Sequence, residues 1–172
     1  IHIDDNLNIY VLDRGNNRVV KYAQGAYGSD PVLIAGAING ASGNTLSLLY
    51  GPTDMKVTSN GTVYVADWEN TRVMKFTEGT ADGEIILDQR ARSLALDNND
   101  ALYMVTWNGG IVYKKEAGKT IQRITNEYLG SPSGLLIDSL GGIYVYDRGN
   151  RRIVYFSKGQ TTNPKVISEG VN

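Results

Sequence analysis

A twelve-residue pattern recurs four times along this chain without internal gaps. The copies occupy residues 8–19, 62–73, 101–112 and 142–153. Each has a marker tyrosine at its third position. These are Tyr10, Tyr64, Tyr103 and Tyr144, spaced 54, 39 and 41 residues apart. A chain that repeats itself at such a period folds as a series of supersecondary units. Each unit buries its apolar face on its neighbours.

The pattern within each period is that of short strands. In the second copy, residues 54–58 are read as a first strand, a, entered through Gly51-Pro52. Ser59-Asn60-Gly61 is a tight turn, and Asn-Gly is a strong hairpin signal. Residues 62–67 form strand b, 68–71 a short loop, 72–77 strand c and 84–87 strand d. The third copy divides into 94–97, 101–106, 112–116 and 120–124, and the fourth into 135–138, 143–147, 153–157 and 165–168. The first keeps only a stump of strand a, residues 1–4. Strands b and c are apolar on both alternating sets, as with Ile9 and Val11 on one side and Tyr10 and Leu12 on the other. That pattern predicts burial on both faces. No helical 3.6-residue periodicity appears. With 20 Gly, 11 Tyr and only 2 Phe in 172 residues, the composition suits many short strands and many turns.

A period of about 40–45 residues made only of strands is the signature of propeller blades. The expected fold is therefore all-β, with four four-stranded blades over residues 1–36, 51–88, 92–125 and 133–170 of one domain spanning 1–172. The order Gly/Asn-x-Ile/Val-Tyr-Val-x-Asp-x-x-Asn-x-Arg-Val/Ile resembles the NHL repeat, a blade unit of six-bladed β-propellers. The related YWTD-type propeller fits less well, because the Asp-x-x-Asn-x-Arg triplet is the NHL pattern. The resemblance covers essentially the whole chain. Residues 35–52, with Gly40, Gly43 and Asn44, are similar to the long blade-to-blade linkers of tandem NHL arrays. The resemblance implies an arc of a larger propeller. Four blades with no overlapping closure strand would leave two open edges; either four blades close on themselves with strain or, as expected here, the missing blades of a longer parent chain cover them. The start at Ile1, inside a strand, also reads as a segment of a longer polypeptide.

The triplet recurs as Asp13, Asn16, Arg18, as Asp67, Asn70, Arg72 and as Asp147, Asn150, Arg152. A repeated acid suggests a catalytic ring. A residue present in every blade is better explained as serving the blade, with Asp and Asn bonding backbone in the b–c loop and Arg pairing with Asp. The third copy has Thr106, Gly109 and Ile111 there, so its loop is expected to lack the polar lock. The position after the Asp varies instead: Arg14, Trp68, Trp107 and Arg148. Arg and Trp carry much of the energy at protein interfaces. These four are the candidate partner-binding residues, on a face shared by the b–c and d–a loops. For Trp68 and Trp107 the competing reading is packing against a neighbouring loop.

Catalytic chemistry finds few residues to use. There is no Cys, and His2 is the single His, so thiolate sites and multi-histidine metal sites are excluded. Asp97-Asn98-Asn99-Asp100 lacks the spaced oxygens of a calcium loop, and Asp4, Asp97 and Asp138 share one pre-turn position. No catalytic residue, metal or cofactor is expected. Asn60-Gly61-Thr62 matches a glycosylation sequon but lies in a tight hairpin.

The expected function is a non-catalytic scaffold that binds a protein or other ligand. Two alternatives follow from the resemblance. One is RNA binding, as in the propellers of tripartite-motif proteins, which would use Lys114, Lys115, Arg123, Arg14, Arg18 and Lys21. The net charge of −1 speaks against a general nucleic-acid binder. The other is a lyase-like or lactonase-like enzyme whose site lies largely outside this segment. No apolar run reaches the ~18 residues of a membrane span. The long linker leans towards an extracellular array, on resemblance alone.

Overall fold

A computed structural model of the protein describes residues 1–26 and 28–170. The expected domain over 1–172 thus extends two residues past the described ones. The described residues form four four-stranded antiparallel sheets. The first blade contains β1 (His2–Ile3), β2 (Ile9–Asp13), β3 (Arg18–Tyr22) and β4 (Val32–Ala35). The second contains β5 (Asp54–Val57), β6 (Val63–Asp67), β7 (Arg72–Phe76) and β8 (Glu84–Leu87). The third contains β9 (Ala91–Leu96), β10 (Leu102–Thr106), β11 (Val112–Lys115) and β12 (Gln122–Arg123). The fourth contains β13 (Gly134–Ile137), β14 (Ile143–Asp147), β15 (Arg152–Phe156) and β16 (Lys165–Glu169). Strands pair in chain order within every blade, so each is a simple meander. The a–b and c–d turns therefore lie at one end of each sheet, and the b–c loop lies at the other.

The chain divides into two compact units, Ile1–Arg90 and Ala91–Asn172, with two blades in each. The core of unit 1 joins Tyr10, Val19, Ile34 and Ala35 of the first blade to Met55, Val57, Val63, Val65, Met74 and Phe76 of the second. The core of unit 2 joins Ala95, Tyr103, Val105 and Val112 of the third blade to Ile143, Val145, Val154 and Phe156 of the fourth. Leu49 and Leu129, from the segments leading into the second and fourth blades, are buried in these two cores.

Several boundaries differ from the sequence reading. β9 starts at Ala91 rather than at residue 94, because a bulge between Val105 and Thr106 lets Ala91 pair with Thr106. β12 is two residues rather than five. The Ile124 and Thr125 amides both donate to the Val112 carbonyl, which ends the ladder. The b–c loops of the first and fourth blades are single 3-10 turns, Arg14–Asn16 and Arg148–Asn150. Burial on both faces holds for β10, whose five residues are all buried. It does not hold for β2, where only Tyr10 is buried, or for β14, where Tyr144 and Tyr146 are partly exposed. The core of each unit covers only one face of these two blades.

The residue after the marker Asn has a left-handed backbone in three b–c loops: Asn17, Thr71 and Arg151. In the third loop this position is Gly110, also at positive φ. A Cβ on Gly110 would lie 2.7 Å or less from the Leu129 backbone nitrogen, backbone oxygen and Cβ. Gly110→Ala is therefore expected to destabilise unit 2 by about 2–3 kcal/mol, through strain and backbone displacement together. Urea unfolding followed by Trp107 fluorescence measures this, and a change below about 1 kcal/mol would refute the clash.

Candidate functional site

The marker residues form a bonded cluster at the b–c end of their blades. In the second blade, Asp67 Oδ2 accepts from Asn70 Nδ2 and Arg72 Nε, each at 2.8 Å. Oδ1 of the same carboxylate accepts from the Tyr50 amide at 2.7 Å. Arg72 also donates to the carbonyls of Asn44, Thr45 and Leu48, and Asn70 donates to that of Gly43. One buried ion pair thus holds both its own loop and the long segment leading into the blade. Charge-assisted bonds suit this task because each is stronger than a neutral one.

The fourth blade repeats the arrangement. Asp147 Oδ2 accepts from Asn150 and Arg152 at 2.8 Å each, and Oδ1 accepts from the Gly130 amide at 2.6 Å. In the first blade, Asp13 accepts from Asn16 and Arg18, and Arg18 donates to the Ile38 carbonyl at 2.6 Å. The Asn16 hydrogen bond, joined by Arg18, holds the Asp13 carboxyl below the ordinary carboxylate range against a smaller opposing effect of burial. The third loop corrects the expectation of a missing polar lock. The Thr106 hydroxyl is buried, donates within reach of the Asn108 and Ile111 carbonyls, and accepts from the Ile111 amide at 3.2 Å. A neutral hydroxyl closes that loop in place of the carboxylate.

The four variable positions follow these clusters directly. Arg14 and Arg148 open their 3-10 turns and are exposed; Trp68 and Trp107 are half-buried. Arg14 and Trp68 belong to unit 1, and Trp107 and Arg148 to unit 2. The Arg90 guanidinium lies 4.9 Å from the centre of the Trp68 ring, and its Nε donates to the Trp68 carbonyl at 3.1 Å. One face of that indole is thus covered by Arg90. Arg14 lines a cavity of about 330 Å³ together with Leu12, Pro52, Asp54 and Lys56. Asp54 and Lys56 pair with each other at 2.8 Å. No partner binds the Arg14 or Arg148 guanidinium among the described residues.

Other features singled out in the sequence serve turns. Asp4, Asp97 and Asp138 each accept two backbone amides of their a–b turn through one carboxylate oxygen. Asn60 accepts from the Thr58 hydroxyl and the Thr62 amide. Among the described residues, no group of three or more His, Asp or Glu side chains is placed to hold a metal. Partial burial pushes the His2 imidazole below its ordinary pKa. Most basic residues named for a nucleic-acid face are committed elsewhere: Lys21 to Glu78, Arg18 to Asp13, and Lys114 to Glu116 and Asp97. Lys115 donates to the carbonyls of Glu116 and Lys119.

The model of one family, the NHL repeat, matches residues 49–76. This window holds the Leu49 anchor, β5, β6, the Asp67-Asn70-Arg72 cluster and β7. The chain carries the NHL repeat. Its four sheets are propeller blades, in agreement with solved structures. A chain of the nidogen/laminin complex superposes with a TM-score of 0.75 at 19% identity, over 98% of this chain and 63% of that one. Virginiamycin B lyase from Staphylococcus aureus superposes with a TM-score of 0.72 at 9% identity, over 98% of this chain and 55% of the lyase. Human Teneurin-4 is 30% identical over 112 residues, which is 65% of this chain and 4% of the length of Teneurin-4.

Proposed function

We propose that this NHL-repeat segment is a non-catalytic scaffold that binds a protein partner through the residues after the blade markers. The supporting observation is a contrast within one loop. Asp, Asn and Arg are fixed by hydrogen bonds at 2.6–3.0 Å in the three strong copies. The position after the Asp varies, and in two copies it presents a guanidinium that no side chain or carbonyl binds among the described residues. Loops held in this way lose little entropy on binding. Arg14 and Arg148 favour a partner surface that offers carboxylates, and the exposed parts of Trp68 and Trp107 favour apolar or aromatic contact. The fold alone does not choose between binding and catalysis, since it occurs both in the nidogen/laminin complex and in a lyase. The supply of residues does favour binding, because a single half-buried His and no Cys leave little for acid–base or nucleophilic work.

Selection of displayed peptides against the 172-residue chain tests this reading. The selected peptides are expected to be rich in Asp or Glu beside aromatic residues. They should bind at least tenfold more weakly to a chain carrying Arg14→Ala, Trp107→Ala and Arg148→Ala. Peptides that bind both chains equally would place the binding face elsewhere.

A further inference from the structure

The two units match each other at the rim formed by the a–b and c–d turns, but their charges differ there. In unit 1 the Lys21 ammonium lies 5.6 Å from the centre of the Tyr10 ring and 2.8 Å from Glu78 Oε2. Glu78 comes from the c–d turn of the second blade, so the pair ties one blade to the next across the rim. In unit 2, Lys114 pairs in register with Tyr103 as Lys21 does with Tyr10, and its ammonium lies 5.1 Å from that ring. The residue matching Glu78 is Lys158: Phe76-Thr77-Glu78-Gly79 aligns with Phe156-Ser157-Lys158-Gly159. With the charge reversed, the tie cannot form. Lys114 instead bonds Glu116 of its own blade at 3.0 Å and lies 3.5 Å from Asp97. A second position changes in the same sense. Leu33, which follows Val32 opposite Lys21, corresponds to Arg123, which follows Gln122 opposite Lys114.

A cavity of about 460 Å³ opens between the third and fourth blades at this rim, lined by Lys114, Arg123 and Lys158 as well as Asp97, Glu116 and Asp138. This volume is within the range of small-molecule sites. The carboxylates are largely engaged. Asp97 accepts the Asn99 and Ala101 amides, Asp138 accepts the Leu140 and Gly142 amides, and Glu116 binds Lys114 and Lys119. The cations at the mouth are not. Arg123 spends only its Nε, on the Thr125 carbonyl at 3.0 Å, and no residue pairs with Lys158 among the described residues. Ile124, Leu140 and Ile143 add an apolar wall.

We infer that this cleft binds a small organic oxyanion, with its charged group on Lys158 and Arg123 and its body against the apolar wall. Carboxylate and phosphate share the required chemistry: several acceptor oxygens for charge-assisted bonds from ammonium and guanidinium.

Calorimetric titration of the whole chain with citrate, and separately with inorganic phosphate, at constant ionic strength tests the assignment. Saturable binding at one site is expected, and the better of the two anions identifies the source of the oxyanion. Lys158→Glu recreates the unit 1 pair with Lys114, so it should weaken binding at least tenfold without lowering the melting temperature. Arg123→Leu, which copies Leu33, should also weaken binding and does not depend on how the new Glu packs. Absence of saturable binding by either anion, or binding that neither substitution changes, would overturn the site.

Discussion

Asp67→Ala is expected to cost about 3–5 kcal/mol, the largest single loss among the marker residues. The carboxylate side chain is fully buried and that of Arg72 nearly so, at 0% and 6% exposure. Removing Asp67 leaves a buried guanidinium with no counter-charge. It also frees the Asn70 amide and the Tyr50 N–H, which an alanine cannot replace. Asp13→Ala should cost about 1 kcal/mol or less, because that pair is 22% and 26% exposed and water can replace much of it. Urea unfolding of both variants at pH 7 in a Trp107→Phe background makes Trp68 the reporter for unit 1. Equal losses would show that burial does not set the value of the pair.

The second large effect is expected in the segments between blades. Leu49 and Leu129 are 0% and 4% exposed, and each sits in the core of its unit. Leu49→Ala and Leu129→Ala should each cost about 2–5 kcal/mol, from lost transfer energy and the cavity left behind. Each effect should be confined to its own unit, as followed by Trp68 for Leu49 and by Trp107 for Leu129. A loss below about 1 kcal/mol for either would mean that the segment is a tether rather than part of the core.

The strands were legible because their signals are local. The Tyr markers, the Asn60-Gly61 turn and the alternating apolar residues report on neighbours a few positions away. The grip of Asp67 on Tyr50 was not legible, since its acceptor reaches a backbone amide 17 residues earlier that leaves no mark in the sequence. The start of β9 was hidden for a related reason. Arg92 and Ser93 look like loop residues, and only pairing across a bulge makes them strand. The role of Thr106 has no signature in the carboxylate pattern, since a hydroxyl closes the loop by both donating and accepting. The Trp68 contact with Arg90 leaves no mark in the sequence, as the two are 22 residues apart. The charge reversal from Glu78 to Lys158 is visible when the c–d turns are aligned, but the pairing partner Lys21 of Glu78 lies 57 residues away.

The division of labour between the markers and the position after them is tested most directly by two readings on one set of proteins. Unfolding free energy and affinity for the selected peptides are measured for Asp67→Ala and for the Arg14→Ala, Trp107→Ala, Arg148→Ala chain. The triple variant should lose affinity at least tenfold while losing no more than about 1 kcal/mol of stability, as exposed and half-exposed residues do. Asp67→Ala should show the large stability loss. A triple variant that unfolds as readily as Asp67→Ala, or that keeps full affinity, would contradict the division.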